Sequence, residues 1–250
     1  MNQRDFHLNR MKSFLRGRLA EEAYQSGEVF RPSLTISRQC GSGADRIGQR
    51  LVEYLDEADE SATHGWALFD QSLIGRVIED HKLPDTVGPY LAKNAKFSAV
   101  QALEESLNLD PSKWTLFNYT SKTIRLLCTL GNAIIVGRAG NYVSADLANT
   151  FHVRLVGSIP MRKQRIQARH LVSSLESEKL INETDLSRSK FVKRYTHSEI
   201  EDPSAYHLTI NTDDMDDNTI TSILADSLLE WAHEKESHST REASSPTNAS

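Results

Sequence analysis

The chain has 250 residues, 38% of them apolar and 25% charged, with a net charge of −5. That length suits one large domain, or one domain with extensions, and is enough to bury a core without disulfide or metal staples. The negative balance excludes a global attraction to nucleic acid or anionic membrane, so any phosphate site has to be a local concentration of arginine and lysine.

Cys40 and Cys128 lie in separate segments and form no disulfide framework, which fits a reducing compartment. The first residues lack the continuous apolar stretch of a signal peptide. No run approaches the ~20 apolar residues of a membrane span. The expected location is the cytoplasm.

Taken in chain order, Phe6, Met11, Phe14, Leu15 and Leu19 recur at three- and four-residue steps among arginines and predict a helix over residues 5–25. Packing on the domain or on a second subunit, hence a possible homodimer, is a simpler reading than a membrane-surface helix. Leu34 to Ser37 reads as a strand, Gly41-Ser42-Gly43 as a flexible turn, and Ala44, Ile47, Leu51, Val52 and Leu55 as one apolar helix face. Ser42 with Asp45 three residues on resembles a capping box. Trp66 to Phe69 is a second strand, ended by Asp70, and Leu73, Ile74, Val77 and Ile78 continue as a helix. Residues 80–118 read as polar helix broken at Pro84, Pro89 and Pro111. Ile124, Leu127, Cys128 and Leu130 form a further helix stopped by Gly131.

Ala133 to Val136 is a continuous apolar run, the pattern of a buried parallel strand. Gly137-Arg138-Ala139-Gly140 breaks it. Phe151 to Val156 is a fourth strand, and Pro160 sits where prolines favour a helix start. Residues 160–200 carry a basic helix, a polar gap and a second basic stretch. Tyr206 to Asn211 is a fifth strand, and Ile220, Ile223, Leu224, Leu228 and Trp231 give the closing helix. The expected organisation is an N-terminal helical extension (1–30), one domain (31–232) and a disordered tail (233–250). Strands alternating with helices predict a parallel sheet covered on both faces.

A strand running into a glycine turn and then a helix points several backbone N–H groups at one spot, where the helix dipole adds roughly half a positive charge. Against the P-loop pattern G-x-x-x-x-G-K-[ST], Gly43 falls on the second Gly, Arg38 on the first, Ala44 on the Lys and Asp45 on the Ser/Thr. The lysine and the Mg²⁺-binding hydroxyl are both missing. On these residues alone, a plain turn joining a strand to a helix accounts for the motif as well as a phosphate site does.

Four ordered segments bear on that choice: LTISRQCGSGADRIGQRLVEYL at 34–55, AIIVGRAGNYV at 133–143, DLSRSKFVKRY at 185–195 and YHLTINT at 206–212. Together they resemble the cytidylate kinase-like family of P-loop proteins over roughly residues 33 to 232. The resemblance implies a three-layer P-loop kinase-like α/β fold, with a five-stranded, mainly parallel sheet, a helical acceptor-binding insert and a lid. The family's phosphate loop typically reads GSGG followed by a charged pair, without the lysine; Gly41 to Arg46 matches this, with Ala44 departing at the last Gly.

By the same resemblance, Arg38, Gly41, Ser42, Gly43 and Ala44 would bind ATP. Asp70, Arg76 and Arg138, which match positions of true cytidylate kinases, would hold an acceptor monophosphate. Their D-G-R-D segment keeps its Gly and Arg here as Gly137 and Arg138 but loses both carboxylates, with Val136 in the place of the acid near Mg²⁺. Phosphoryl transfer needs charge neutralisation and alignment more than a nucleophilic side chain, and arginine forks suit both tasks. Arg138, Arg165, Arg188 and Arg194 are the catalytic candidates, Arg165 being preferred among Arg162, Lys163, Arg165 and Arg169. Arg188 and Arg194 lie in the segment that would form the lid. Mg²⁺ would arrive with ATP, with Asp70 the candidate to steady it. The expected reaction transfers the γ-phosphate of ATP to a (deoxy)cytidine monophosphate-type acceptor; a nucleotide-binding module acting through a partner is the alternative. Cys40, in the loop, is either a passive buried thiol or one activated by the helix N-terminus.

Overall fold

A computed structural model describes residues 13–18, 20–21, 29–70, 111–137 and 139–244. Five strands form one sheet: β1 (Ser33–Arg38), β2 (Ala67–Asp70), β3 (Ala133–Val136), β4 (Thr150–Val156) and β5 (Leu208–Asn211). Their order is β2-β3-β1-β4-β5 and every pairing is parallel. Parallel strands need crossovers, and the helices that make them cover both faces. The crossover segments contain α1 (Ala44–Ala58), α2 (Pro111–Leu130), α3 (Gly140–Val143), α4 (Ile159–His170) and α5 (Ser174–Thr196), and α6 (Asp217–Ser244) follows β5.

One face of the sheet is apolar. Leu34, Ile36, Ile134, Val136, Val153 and Leu155 pack there against Ile47, Leu51 and Leu55 of α1 and Ile220, Leu224 and Leu228 of α6. On the other face, Phe69, Ala133 and Ile135 meet Ile124, Leu127 and Cys128 of α2. Phe14 joins them, 5.9 Å edge-on to Phe69, so the described part of the N-terminal helix packs on its own chain. Arg18 beside it is buried and donates to Asn132 and Glu21.

Sequence and structure differ at three element ends. The helix with Ile124 begins at Pro111 instead of breaking there, because a first-turn proline loses no hydrogen bond. The closing helix continues through the expected tail to Ser244; residues 233–244 are mostly polar but contain neither glycine nor proline, and Pro246 comes only afterwards. The capping box at Ser42 does not form, since Gly43 in the left-handed region is the N-cap and no side chain caps α1. The predicted helix through Leu73 to Ile78 and the segment to residue 110 lie outside the described residues. No helix among the described residues is long and apolar enough to cross a membrane.

Centrally, β1 alternates apolar residues with Ser33, Thr35 and Ser37, all buried. Thr35 pairs in register with His152 of β4, whose Nδ1 lies 2.8 Å from Oγ1 of Thr35. Burial, helped by the nearby His207, lowers the His152 pKa to about 4. The folded state therefore holds this ring neutral, while the unfolded chain takes up a proton below its ordinary value of 6.5. The stabilisation is complete above pH 6.5 and is lost as pH falls towards 4, by on the order of 3 kcal/mol in total. Urea midpoints should thus drop between pH 7 and 5, where most carboxylates remain ionised, and His152→Gln should flatten that slope; an unchanged slope would remove His152 as its source.

Candidate phosphate-binding site

At the carboxyl edge of the sheet, β1 ends at Arg38 and the chain turns through Gln39 to Gly43 into α1. Gly41 and Gly43 have φ of 81° and 90°, a conformation that side chains rarely adopt. At Gly41 there is also no room, because an added Cβ would lie 2.8 Å from the carbonyl oxygen of Arg162.

The turn is tied down from below. Gln39 N–H donates to Leu155 O at 3.0 Å. The Gln39 side chain accepts from Gly157 N–H at 3.0 Å. Cys40 N–H donates to Asp185 Oδ1 at 2.7 Å, and Arg162 Nη1 donates to Cys40 O at 3.1 Å and to Asp185 Oδ2 at 2.6 Å. Arg162, which is 4% exposed, is thus a brace for the loop and not a ligand for phosphate.

The upper side of the loop is left open. Among the described residues, the backbone N–H groups of Gly41, Gly43, Ala44 and Asp45 have no hydrogen-bond partner. Ser42 is 1% exposed and its hydroxyl is also unpartnered. Buried polar groups are nearly always paired, so a cluster of unpaired donors on a helix N-terminus marks a place for an anion.

These groups face a cleft of about 310 Å³. Its lining includes five arginines (Arg38, Arg46, Arg165, Arg169 and Arg188) and one carboxylate, Asp45. Arg165 donates to the carbonyl of Thr212 at 2.5 Å and to its hydroxyl at 2.8 Å. Arg188 donates to Arg38 O at 3.2 Å. Arg46 forms two bonds to Asp217, and Arg169 forms an ion pair with Asp45 at 2.8 Å. The local concentration of positive charge that an acidic chain needs for phosphate is present here.

Of the residues singled out from sequence, Arg38, Gly41, Ser42, Gly43, Ala44, Arg165 and Arg188 line this one cleft. Arg194 does not: it is exposed on the last turn of α5, its guanidinium 5.8 Å from the ring centre of Tyr195. Six residues along a helix from Arg188, it points away from that residue's face. Asp70 lies at the end of β2, paired in register with Val136 and separated from β1 by β3. Arg76 and Arg138 lie outside the described residues. Sequence reading missed Asp185, whose role depends on a contact 145 residues away from Cys40, and passed over Arg169, although its i+4 spacing from Arg165 puts both on one helix face. The Cys40 thiol is pushed up from its ordinary pKa, chiefly by burial, which favours the passive reading over an activated thiol.

The sequence matches the Cytidylate kinase-like family over residues 33–214, which is most of the chain and includes the loop, the cleft and all five strands. The chain belongs to that family. No curated protein matches the sequence. Among solved structures, an uncharacterized protein from Eubacterium ventriosum is similar, with a TM-score of 0.60 at 17% identity over 80% of this chain and 99% of that one. A gluconokinase from Sinorhizobium meliloti is a looser likeness, with a TM-score of 0.45 at 14% identity over 85% of this chain and 99% of that one. The matched residues of the cytidylate kinase-like family carry both the five-stranded parallel sheet and the glycine loop that lacks the P-loop lysine.

The brace and the glycine geometry make the loop intolerant of side chains. Gly41→Ala should lower stability by roughly 1–3 kcal/mol, from positive φ and the clash with Arg162. Gly137→Ala, where an added Cβ meets nothing closer than 3.8 Å, should cost far less. Thermal unfolding of the two variants side by side checks this; equal losses would contradict it.

Proposed function

We propose that this chain transfers the γ-phosphate of ATP to a nucleoside monophosphate, with CMP or dCMP as the acceptor. The observation that carries the reading is the set of unpartnered loop amides with the buried Ser42 hydroxyl, facing five arginines. In this reading the amides of Gly41, Gly43, Ala44 and Asp45 and the Ser42 hydroxyl hold donor phosphate oxygens. Arg165, Arg169 and Arg188, which come from α4 and α5, close over them. Asp70, Arg76 and Arg138 hold the acceptor. An acceptor phosphate oxygen bonds to the γ-phosphorus as the bond to the β–γ bridging oxygen breaks, and ADP leaves. The arginines neutralise the charge spread over the transferring oxygens.

Mg²⁺ enters with ATP, for the residues fit a protein-held ion poorly. Among the described residues no cluster of three or more His, Cys, Asp or Glu could hold a metal. Asp45 in the Ser/Thr position is paired with Arg169, and Val136 is buried in the core. The same two positions favour a second reading, in which the loop holds a nucleotide without turnover and acts through a partner.

ADP release from Mg-ATP, with each common nucleoside and deoxynucleoside monophosphate offered in turn, separates the two. Turnover is expected with CMP or dCMP. It should fall by at least about 10²-fold in Arg138→Ala and in Arg188→Ala. Tight ATP binding by folded protein, with no ADP formed for any acceptor, would overturn the transferase reading in favour of the binding module.

A further inference from the structure

The cleft arginines are not equally committed. Arg46 is held by two bonds to Asp217, Arg165 by two to Thr212, and Arg188 by the Arg38 carbonyl with Asp185 at 3.6 Å. Arg169 has a single partner among the described residues, Oδ2 of Asp45. Their side chains are 54% and 51% exposed, and an exposed pair of this kind contributes little and is readily exchanged. Yet its placement is specific. Arg169 lies in the last turn of α4 and Asp45 in the first turn of α1, so the pair spans two walls of the cleft. Beside Asp45 are the unpartnered loop amides and the buried, unpartnered Ser42 hydroxyl, which mark independently where an anion goes.

We propose that Asp45 is the internal counter-ion of Arg169, holding the end of α4 against the first turn of α1 until a phosphate group in the loop takes the guanidinium over. The inference rests on the phosphate-site part of the reading above, and does not need a transfer reaction. A phosphate offers more charge and more acceptor oxygens than a carboxylate, and an arginine fork engages two of them at once. After the exchange, Asp45 is left unpaired beside the bound anion. The carboxylate therefore restrains the empty cleft and weakens anion binding, which makes Asp45 a determinant of affinity at this site.

Calorimetric titration of the full chain with inorganic pyrophosphate, without divalent metal, tests the exchange in a double-mutant cycle. Asp45→Asn should bind pyrophosphate more tightly, by roughly three- to tenfold. Arg169→Ala should bind it more weakly, and adding Asp45→Asn to Arg169→Ala should tighten binding by clearly less than Asp45→Asn does alone, because only the repulsion between carboxylate and anion is then relieved. Tightening of the same size in the Arg169→Ala background would reduce Asp45 to plain charge repulsion and overturn the proposal, as would weaker binding by Asp45→Asn. Wild-type protein that binds no pyrophosphate would overturn it too. A second readout needs no ligand: amide hydrogen exchange at residues 168–171, in the last turn of α4 and its C-cap, should be faster in Asp45→Asn, and an unchanged rate would remove the clasp. A protein that shows this cycle but forms no ADP with any acceptor keeps the proposal and loses the transferase reading.

Discussion

The open side of the phosphate loop depends on a buried guanidinium beneath it. Loop amides that face a cleft give nothing to the loop's own stability, so the backbone has to be fixed by other groups. Arg162 and Asp185 do this by holding both backbone groups of Cys40, Arg162 donating to its carbonyl and Asp185 accepting from its N–H. Arg162 also donates to Gly157 O at 2.8 Å, which ties in the turn after β4. Removing either partner would strand a charge in a largely buried place, a costly state. The loop, the start of α4 and the middle of α5 therefore form one locked unit. Helices α4 and α5 and the loop share these foundations, and Arg165, Arg169 and Arg188, which line the cleft, are carried on the same two helices.

The sheet beneath is asymmetric for a related reason. A central parallel strand would ordinarily be apolar on both sides, yet β1 turns Ser33, Thr35 and Ser37 to one face. Each is satisfied: Ser33 donates to Cys128 O, Thr35 meets His152, and Ser37 accepts from the buried Arg154. Tyr206 completes the set by donating to Ile200 O at 2.8 Å. Small hydroxyl residues allow α3 to approach closely, with Gly140 packed on Thr35. Such a network is stable only when every member is paired, and a one-residue slip of β1 against β4 would break it. The register that aims the loop is held by hydrogen bonds as well as by hydrophobic packing.

How far this could be read from residues alone follows from the range of the interactions. β3 was legible to the residue as Ala133–Val136, because a continuous apolar run between two glycines leaves few alternatives. The glycine loop and α1 were legible too, through short-range periodicity. The Ser173–Glu176 capping box that starts α5 carries an equally local signal, but it sits inside a stretch whose charges dominate its appearance. Ser42 misled, since a hydroxyl three residues before a carboxylate looks like a cap until the backbone places Gly43 there. The brace was invisible, because nothing local in Arg162 or Asp185 announces that they meet across Cys40. Resemblance to the cytidylate kinase-like family pointed to the glycine loop, while the division of arginines between cleft-lining and bracing positions needed three dimensions.

The strand order also dictates a schedule. β1 is flanked by β3 and β4, which begin at residues 133 and 150, so the central strand has neither neighbour when it leaves the ribosome. Its apolar residues and the glycine turn after it must wait while a long stretch of chain is synthesised. Closing that distance is slow, and an unpaired strand of this kind is exposed to aggregation in the meantime. Leu34 and Ile36 are then shielded only by what is already made, namely the amphipathic α1 that follows them in sequence and packs on the same core. The helix whose N-terminus faces the cleft is thus also the nascent strand's first cover.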